Sequence, residues 1–225
     1  MTVDAIADLL PTAMAVALSP FPVVAVVMVL AGPRARSAGP TFAVGWVVGL
    51  SVVSVLVVLV AGGASDPDSD VATGVNWLQM ALAVALFTMA GRQWRKRPAP
   101  GSTPEMPGWM AGIDAMGPGR ALVLGLALSA ANPKNLVLTL AAAASIAQAG
   151  LEADGEALAV AAFVAIASLS VVGSVVFSLV APAPASRSLR SVRRFMTDHN
   201  AAIMTVVLLL LGAKVLGNGL SGLSG

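Results

Sequence analysis

Charged residues are missing from this chain for stretches of twenty residues and more. Residues 9–33, 37–65, 71–91 and 157–186 carry none, 121–151 carries only Lys134, and the chain from 199 onward carries only Lys214 among its Lys, Arg, Asp and Glu. About 20 apolar residues cross a hydrocarbon core of about 30 Å as a helix. Six candidate spans follow, roughly 8–31, 40–63, 72–91, 120–148, 157–181 and 199–217. Barrel strands would show alternation over about 10 residues, and none is visible. With 57% hydrophobic and 11% charged residues, the chain lies outside the soluble globular class, where about a quarter are charged. The expected fold class is an all-α membrane protein of six transmembrane helices. The first run is not expected to be a cleaved signal peptide, because Asp4 and Asp8 precede it where a basic segment belongs.

Composition also narrows the chemistry. The chain has no cysteine and one histidine, His199, which argues against disulfides, thiol chemistry and His- or Cys-rich metal sites. No GxxxxGK followed by Ser or Thr is present, and no nucleophile–base pair stands out. The expectation is a protein that is not an enzyme, with no cofactor, metal or nucleic-acid partner.

Segments between the spans alternate in sign. Arg34 and Arg36 follow span one, Asp66, Asp68 and Asp70 follow span two, and Arg92, Arg95, Lys96, Arg97 and Arg120 outweigh Glu105 and Asp114 after span three. Glu152, Asp154 and Glu156 follow span four, and Arg187, Arg190, Arg193 and Arg194 outweigh Asp198 after span five. Cytoplasmic loops collect Lys and Arg. The first, third and fifth loops are therefore expected inside, with both termini outside.

Two amphipathic pieces lie on the basic side. In the linker RQWRKRPAPGSTPEMPGWMAGIDAMGPGR, Trp109, Ile113 and Met116 share a face, as Leu189, Val192 and Phe195 do in SRSLRSVRRFM. Both read as interfacial segments, through general anchoring to anionic headgroups or through specific lipid recognition.

The two halves of the chain look alike. ALSPFPVV (17–24) corresponds to ALSAANPKNLV (127–137), and GLSVVSVLVVLV (49–60) to SLSVVGSVVFSLV (168–180). Three spans per half would place the halves in the membrane in opposite directions, as an inverted repeat. The expected organisation is a first repeat over 1–91, a basic Pro-rich linker over 92–118, and a second repeat over 119–225 with a short outer tail.

Ser19-Pro20 and Asn132-Pro133 each read as a helix N-cap followed by the first helical residue, set where a span should continue. Each lies about 16–18 Å into its span, roughly half the hydrocarbon thickness. Spans one and four are thus expected to break at midplane prolines. Lys134 then sits beside a helix N-terminus, which already carries partial positive charge, at a depth where lysine costs about 2.5–3.5 kcal/mol. An anion arriving there would explain it, as would a lysine that snorkels or is held neutral by backbone carbonyls freed at Pro133. Lys214 either snorkels, pairs with Asp8, or serves an exit site. Asp198, His199 and Asn200 open span six, as caps or otherwise; Lys214, Asp8, Asp198 and Asn200 are the candidates for an outer-side or gating role. Gly45 and Gly49 in span two, and Ser170, Ser174 and Ser178 in span five, make small-residue faces for close packing within or between protomers.

ALSPFPVVAVVMVLAGPRARSAGPTFAVGW, RQWRKRP, PGWMAGIDAMGPGRA, SAANPKNLVLTLAAAASIAQAG and HNAAIMTVVLLLLGAKVLGNGL together resemble the Gap/Sap family. These are the glycopeptidolipid- and sulfolipid-addressing proteins of the lysine-exporter (LysE) superfamily, and the resemblance spans nearly the whole chain. It implies a six-span bacterial plasma-membrane protein, homodimeric, that helps move cell-envelope glycolipids outward. By position it implies that Ser19, Pro20, Pro22, Asn132, Pro133 and Lys134 form the substrate site, and Asn135, adjacent to Lys134, is a further candidate there. The reading is an exporter or flippase-like transporter for a glycolipid or related anionic amphiphile, working by alternating access. The alternatives are a non-transporting subunit of a larger lipid exporter and a small amino-acid exporter.

Overall fold

The computed structural model describes residues 2–62, 69–95 and 112–224. Among them there are helices and turns but no strand. The helices are α1 (Thr2–Ala17), α2 (Pro20–Ala31), α3 (Ala35–Val60), α4 (Asp70–Arg95), α5 (Pro118–Leu126), α6 (Pro133–Gln148), α7 (Ala153–Ala167), α8 (Leu169–Val180) and α9 (Pro182–Ser224). Three segments are individually long and apolar enough to cross a membrane: Ala35–Val60, Asp70–Arg95 and Ala201–Leu223. Three bent pairs qualify when each is taken as one span, α1/α2 at 53°, α5/α6 at 59° and α7/α8 at 57°.

Two of the bends fall where proline dictates them. A residue before proline is driven to extended geometry, and Ser19 (φ −65°, ψ 114°) and Asn132 (φ −71°, ψ 116°) adopt nearly the same one. Each proline then opens a new helix, because its missing N–H would have had no partner there. A π-helical turn, Ala127–Ala131, leads into the second break.

The carbonyls freed at the breaks need donors, since hydrocarbon offers none. Ser170 Oγ donates to the Ala17 carbonyl at 2.5 Å, and Asn135 Nδ2 donates to the Leu128 carbonyl at 2.9 Å. Both breaks are thereby closed by side chains from neighbouring helices or turns.

A third bend adds to the two breaks expected in spans one and four. It lies at Ser168, with no proline. The Ser168 N–H is shared between the Val164 and Ala165 carbonyls, an end-of-helix pattern. No hydropathy signal marks such a bend. Span six also differs. Helix α9 runs unbroken for 43 residues, so Asp198, His199 and Asn200 lie inside a helix and do not cap one. At about 1.5 Å per residue it is about 65 Å long, roughly twice a hydrocarbon core. Residues 218–224, expected as a tail, stay helical and pack on α4, where Gly222 is so close to Asn76 that a Cβ would collide with its amide.

Helices in lipid associate through close packing rather than through expulsion of water. Helix α3 meets α5 that way: a Cβ on Gly45 would strike the Leu122 carbonyl, and one on Gly125 would strike the Phe42 carbonyl. Gly49 lies against Ser129 in the same seam. The small residues of span two therefore serve packing within one chain. Phe42, Trp46, Leu50, Leu86, Leu138 and Phe163 are fully buried at the centre.

Of the linker, 96–111 lies outside the described residues, including Trp109. Its described end is not an interfacial helix. Ile113–Ala115 is a single 3₁₀ turn, with Ile113 fully buried in the core and the Ala115 carbonyl accepting from Arg34 Nη1 at 3.4 Å.

Candidate functional site

The two proline breaks bring the starts of α2 and α6 together. Asn132 Oδ1 accepts from the Lys134 N–H at 3.1 Å, an ordinary N-cap. Ser19 does not cap its own helix; its hydroxyl accepts from Lys134 Nζ at 3.0 Å across the two breaks. The ammonium also touches Met204 Sδ of α9, a weak acceptor. Neither partner carries charge.

Lys134 lines a cavity of about 350 Å³. Pro20 and Phe21 of α2, Asn132 and Pro133 at the second break, Met89, Arg92 and Gln93 of α4, and Met204 and Leu208 of α9 complete it. No carboxylate is among these residues, and two cations are. Phe21, Asn132 and Pro133 also border an open trough of about 420 Å³ lined by Leu124, Ala127, Leu128 and Ala131. A cationic hollow thus adjoins an apolar one. Met89 lies about 10 Å past the middle of α4, toward its arginine-bearing end, by helical rise. The cavity accordingly extends from the break toward the basic side, rather than lying at mid-span.

Of the residues expected in the site, Pro20, Asn132, Pro133 and Lys134 line the cavity, and Ser19 holds the lysine. Pro22 and Asn135 do not line it. Pro22 is buried in α2, and Asn135 is buried with its amide on the Leu128 carbonyl. Sequence reasoning missed Arg92, counted only as a loop charge, and Met89, Gln93, Met204 and Leu208. A helical wheel of span six would have placed Met204 and Leu208 on an inward face, but only with the packing partner known, and Arg92 and Gln93 lie just past the end expected for span three.

The outer candidates separate. Lys214 Nζ donates to the Asp8 backbone carbonyl and lies 3.6 Å from Asp8 Oδ1, so pairing is the geometry found. Asp198 is exposed, and with Asn200 it sits about 21–24 Å along α9 from Lys214, at the other end of the apolar segment. His199 Nδ1 lies 3.1 Å from the Phe195 carbonyl and its ring stacks on Phe195, a local contact.

A larger hollow, about 940 Å³, lies elsewhere, between α3 and α7/α8, and is almost wholly apolar apart from Glu156, Ser51 and Ser168.

The family model described as Sap, sulfolipid-1-addressing protein, matches residues 9–221, which contain both breaks and every residue of the Lys134 cavity. The chain belongs to the Sap family. No curated protein and no solved structure matches it. Its apolar helices make this Sap-family chain a multi-pass membrane protein.

Proposed function

We propose that this chain exports an anionic lipid, a sulfated or otherwise acidic glycolipid of the cell envelope, by alternating access around Lys134. The observation that carries the reading is the Lys134 ammonium. Among the described residues it stands between two helix starts, held by Ser19 and Met204, in a cavity lined by Arg92 and by no carboxylate. Helix N-termini add positive potential where an acidic headgroup would sit. The adjoining trough along Leu124, Ala127 and Leu128 suits an acyl chain better than a free amino acid. An amino-acid substrate would also want a carboxylate for its ammonium group.

The six-span inverted repeat is part of the proposal. Its support is the packing. Helix α3 packs on α5 as α7 packs on α1, α2 on α8 as α6 on α3, and α2 on α9 as α6 on α4. Each contact maps onto its counterpart when spans one, two and three are exchanged with four, five and six. The two halves would rock about the paired breaks, and a cavity extending toward Arg92 corresponds to an inward-open state. The setting proposed is a bacterial plasma membrane with both termini outside. Cysteines placed at Ser69 and Asp154 should then react with an impermeant maleimide in intact cells, and one at Ser102 should not. The protein is further proposed to act as a homodimer, without enzymatic chemistry and within the lysine-exporter superfamily.

Reconstitution tests the function. The purified chain in liposomes should accelerate transbilayer movement of a fluorescent sulfated glycolipid and not of its neutral parent. Movement only when a larger lipid exporter is added would make this chain an accessory subunit. Efflux of a basic amino acid without lipid movement would overturn the lipid reading.

A further inference from the structure

A second cationic hollow lies at the basic end of the bundle and shares no residue with the Lys134 cavity. There α2 and α8 end, at Ala31 and Val180, beside the starts of α3 at Ala35 and α9 at Pro182. Between them is a cavity of about 380 Å³. Val27, Leu30 and Leu179 line it on the apolar side; Arg36, Arg190 and Arg193 line it with Ser178 and Ser186. No carboxylate is among the lining residues.

Arg36 and Arg190 bring two like charges from different helices to one small space, and the N-termini of α3 and α9 add to the same potential. An anion relieves this. Backbone donors are scarce, because Pro182 and Pro184 leave Ala183 the only N–H among the first three positions of α9. Hydrogen bonding to an anion therefore falls to guanidinium and hydroxyl groups. Guanidinium forks match the paired oxygens of a phosphate or sulfate.

General anchoring of a basic helix to headgroups needs none of this geometry. Helix α9 carries four arginines, Arg187, Arg190, Arg193 and Arg194, yet Arg187 and Arg194 do not line the cavity. The two that do are joined by Arg36, from the other half of the sequence, around a hollow with an apolar wall.

We propose that this cavity is a specific binding site for the phosphate or sulfate ester headgroup of a lipid, with an acyl chain along Val27, Leu30 and Leu179. The site is independent of the transport reading and stands whether or not Lys134 binds cargo.

The test uses the full chain in neutral detergent, with bound lipid counted by native mass spectrometry. The probes are phosphatidylglycerol, a sulfated galactolipid, phosphatidylcholine and inorganic phosphate. In a Lys134→Ala chain, anionic lipid should be retained at about one per chain, at least tenfold more tightly than phosphatidylcholine. Arg36→Gln with Arg190→Gln should weaken it at least tenfold, whereas Arg187→Gln with Arg194→Gln, the same change in net charge, should alter it less than twofold. Equal weakening by the two pairs would reduce the arginines to diffuse anchoring and overturn the proposal. So would retention of phosphatidylcholine as tight as that of phosphatidylglycerol. Inorganic phosphate binding as tightly as either anionic lipid would assign the site to a soluble anion and overturn the lipid assignment. Should the glutamine pairs fail to purify folded, the lysine pairs decide. Arg36→Lys with Arg190→Lys should weaken anionic lipid at least threefold relative to Arg187→Lys with Arg194→Lys, and equality overturns the site.

Discussion

Lys134 and Lys214 are the two lysines set within apolar spans, and their surroundings differ in kind. Lys214 reaches from α9 to Asp8 on α1, taking both its backbone carbonyl and its carboxylate. Lys134 has a hydroxyl and a thioether, and a second cation, Arg92, lines its cavity. A lysine that meets a carboxylate from another helix is a tie between helices. One whose partners among the described residues are neutral, in a cavity with a second cation, lacks there the counter-charge that would offset its burial in a span. The comparison separates a structural cation from a candidate binding cation without reference to any ligand.

Removing each charge should break that symmetry most sharply. Lys134→Ala should lower glycolipid transport in liposomes by at least a hundredfold while membrane abundance stays near wild type. Deleting the charge removes an insertion cost of about 2.5–3.5 kcal/mol. Lys214→Ala should leave at least a third of transport. A Lys134→Ala protein that transports normally would remove the anion-site reading altogether. Lys134→Arg keeps charge but alters donor geometry, so intermediate activity is expected in the same assay.

The two N-cap positions should then divide. Ser19 accepts from the ammonium and caps nothing, so Ser19→Ala removes a charge-assisted hydrogen bond worth about 1.5–3 kcal/mol and should lower the melting temperature and also lower transport about tenfold or more. Asn132 caps α6, so Asn132→Ala should lower the melting temperature through a loss of about 1 kcal/mol, with transport falling no more than about fivefold. Equal effects from both on stability alone would mean that Ser19 is merely another cap.

The sequence already contained the proline breaks, because proline acts on its immediate neighbours and needs no tertiary context. The juxtaposition of Ser19 and Lys134 followed only in part. Both were placed at helix starts, but a bond across 115 positions depends on how the halves dock. The bend at Ser168 was not legible, since nothing local forbids a helix through Ala-Ser-Leu. The unbroken α9 was not legible either. An arginine-rich amphipathic segment reads as a separate interfacial piece until its helix is seen to continue into the span. Asn135 was assigned to the site by adjacency to Lys134. One residue further along a helix is about 100° of rotation, and that turns its amide toward the Leu128 carbonyl instead.

The smallest effect is expected where the contact looks strongest. Asp8 is 79% exposed and Lys214 is 30% exposed, so water and salt weaken their attraction. A double-mutant cycle with Asp8→Asn and Lys214→Met, read by thermal unfolding in detergent, should return a coupling of about 0.2–1 kcal/mol that fades as salt is raised. The backbone carbonyl of Asp8 remains an acceptor in Asp8→Asn, so part of the contact survives the single change and the cycle isolates the charge alone. A coupling above about 2 kcal/mol that persists at high salt would place this pair in a dry setting. The distinction from Lys134 would then rest on the cavity alone and not on the depth of the charge.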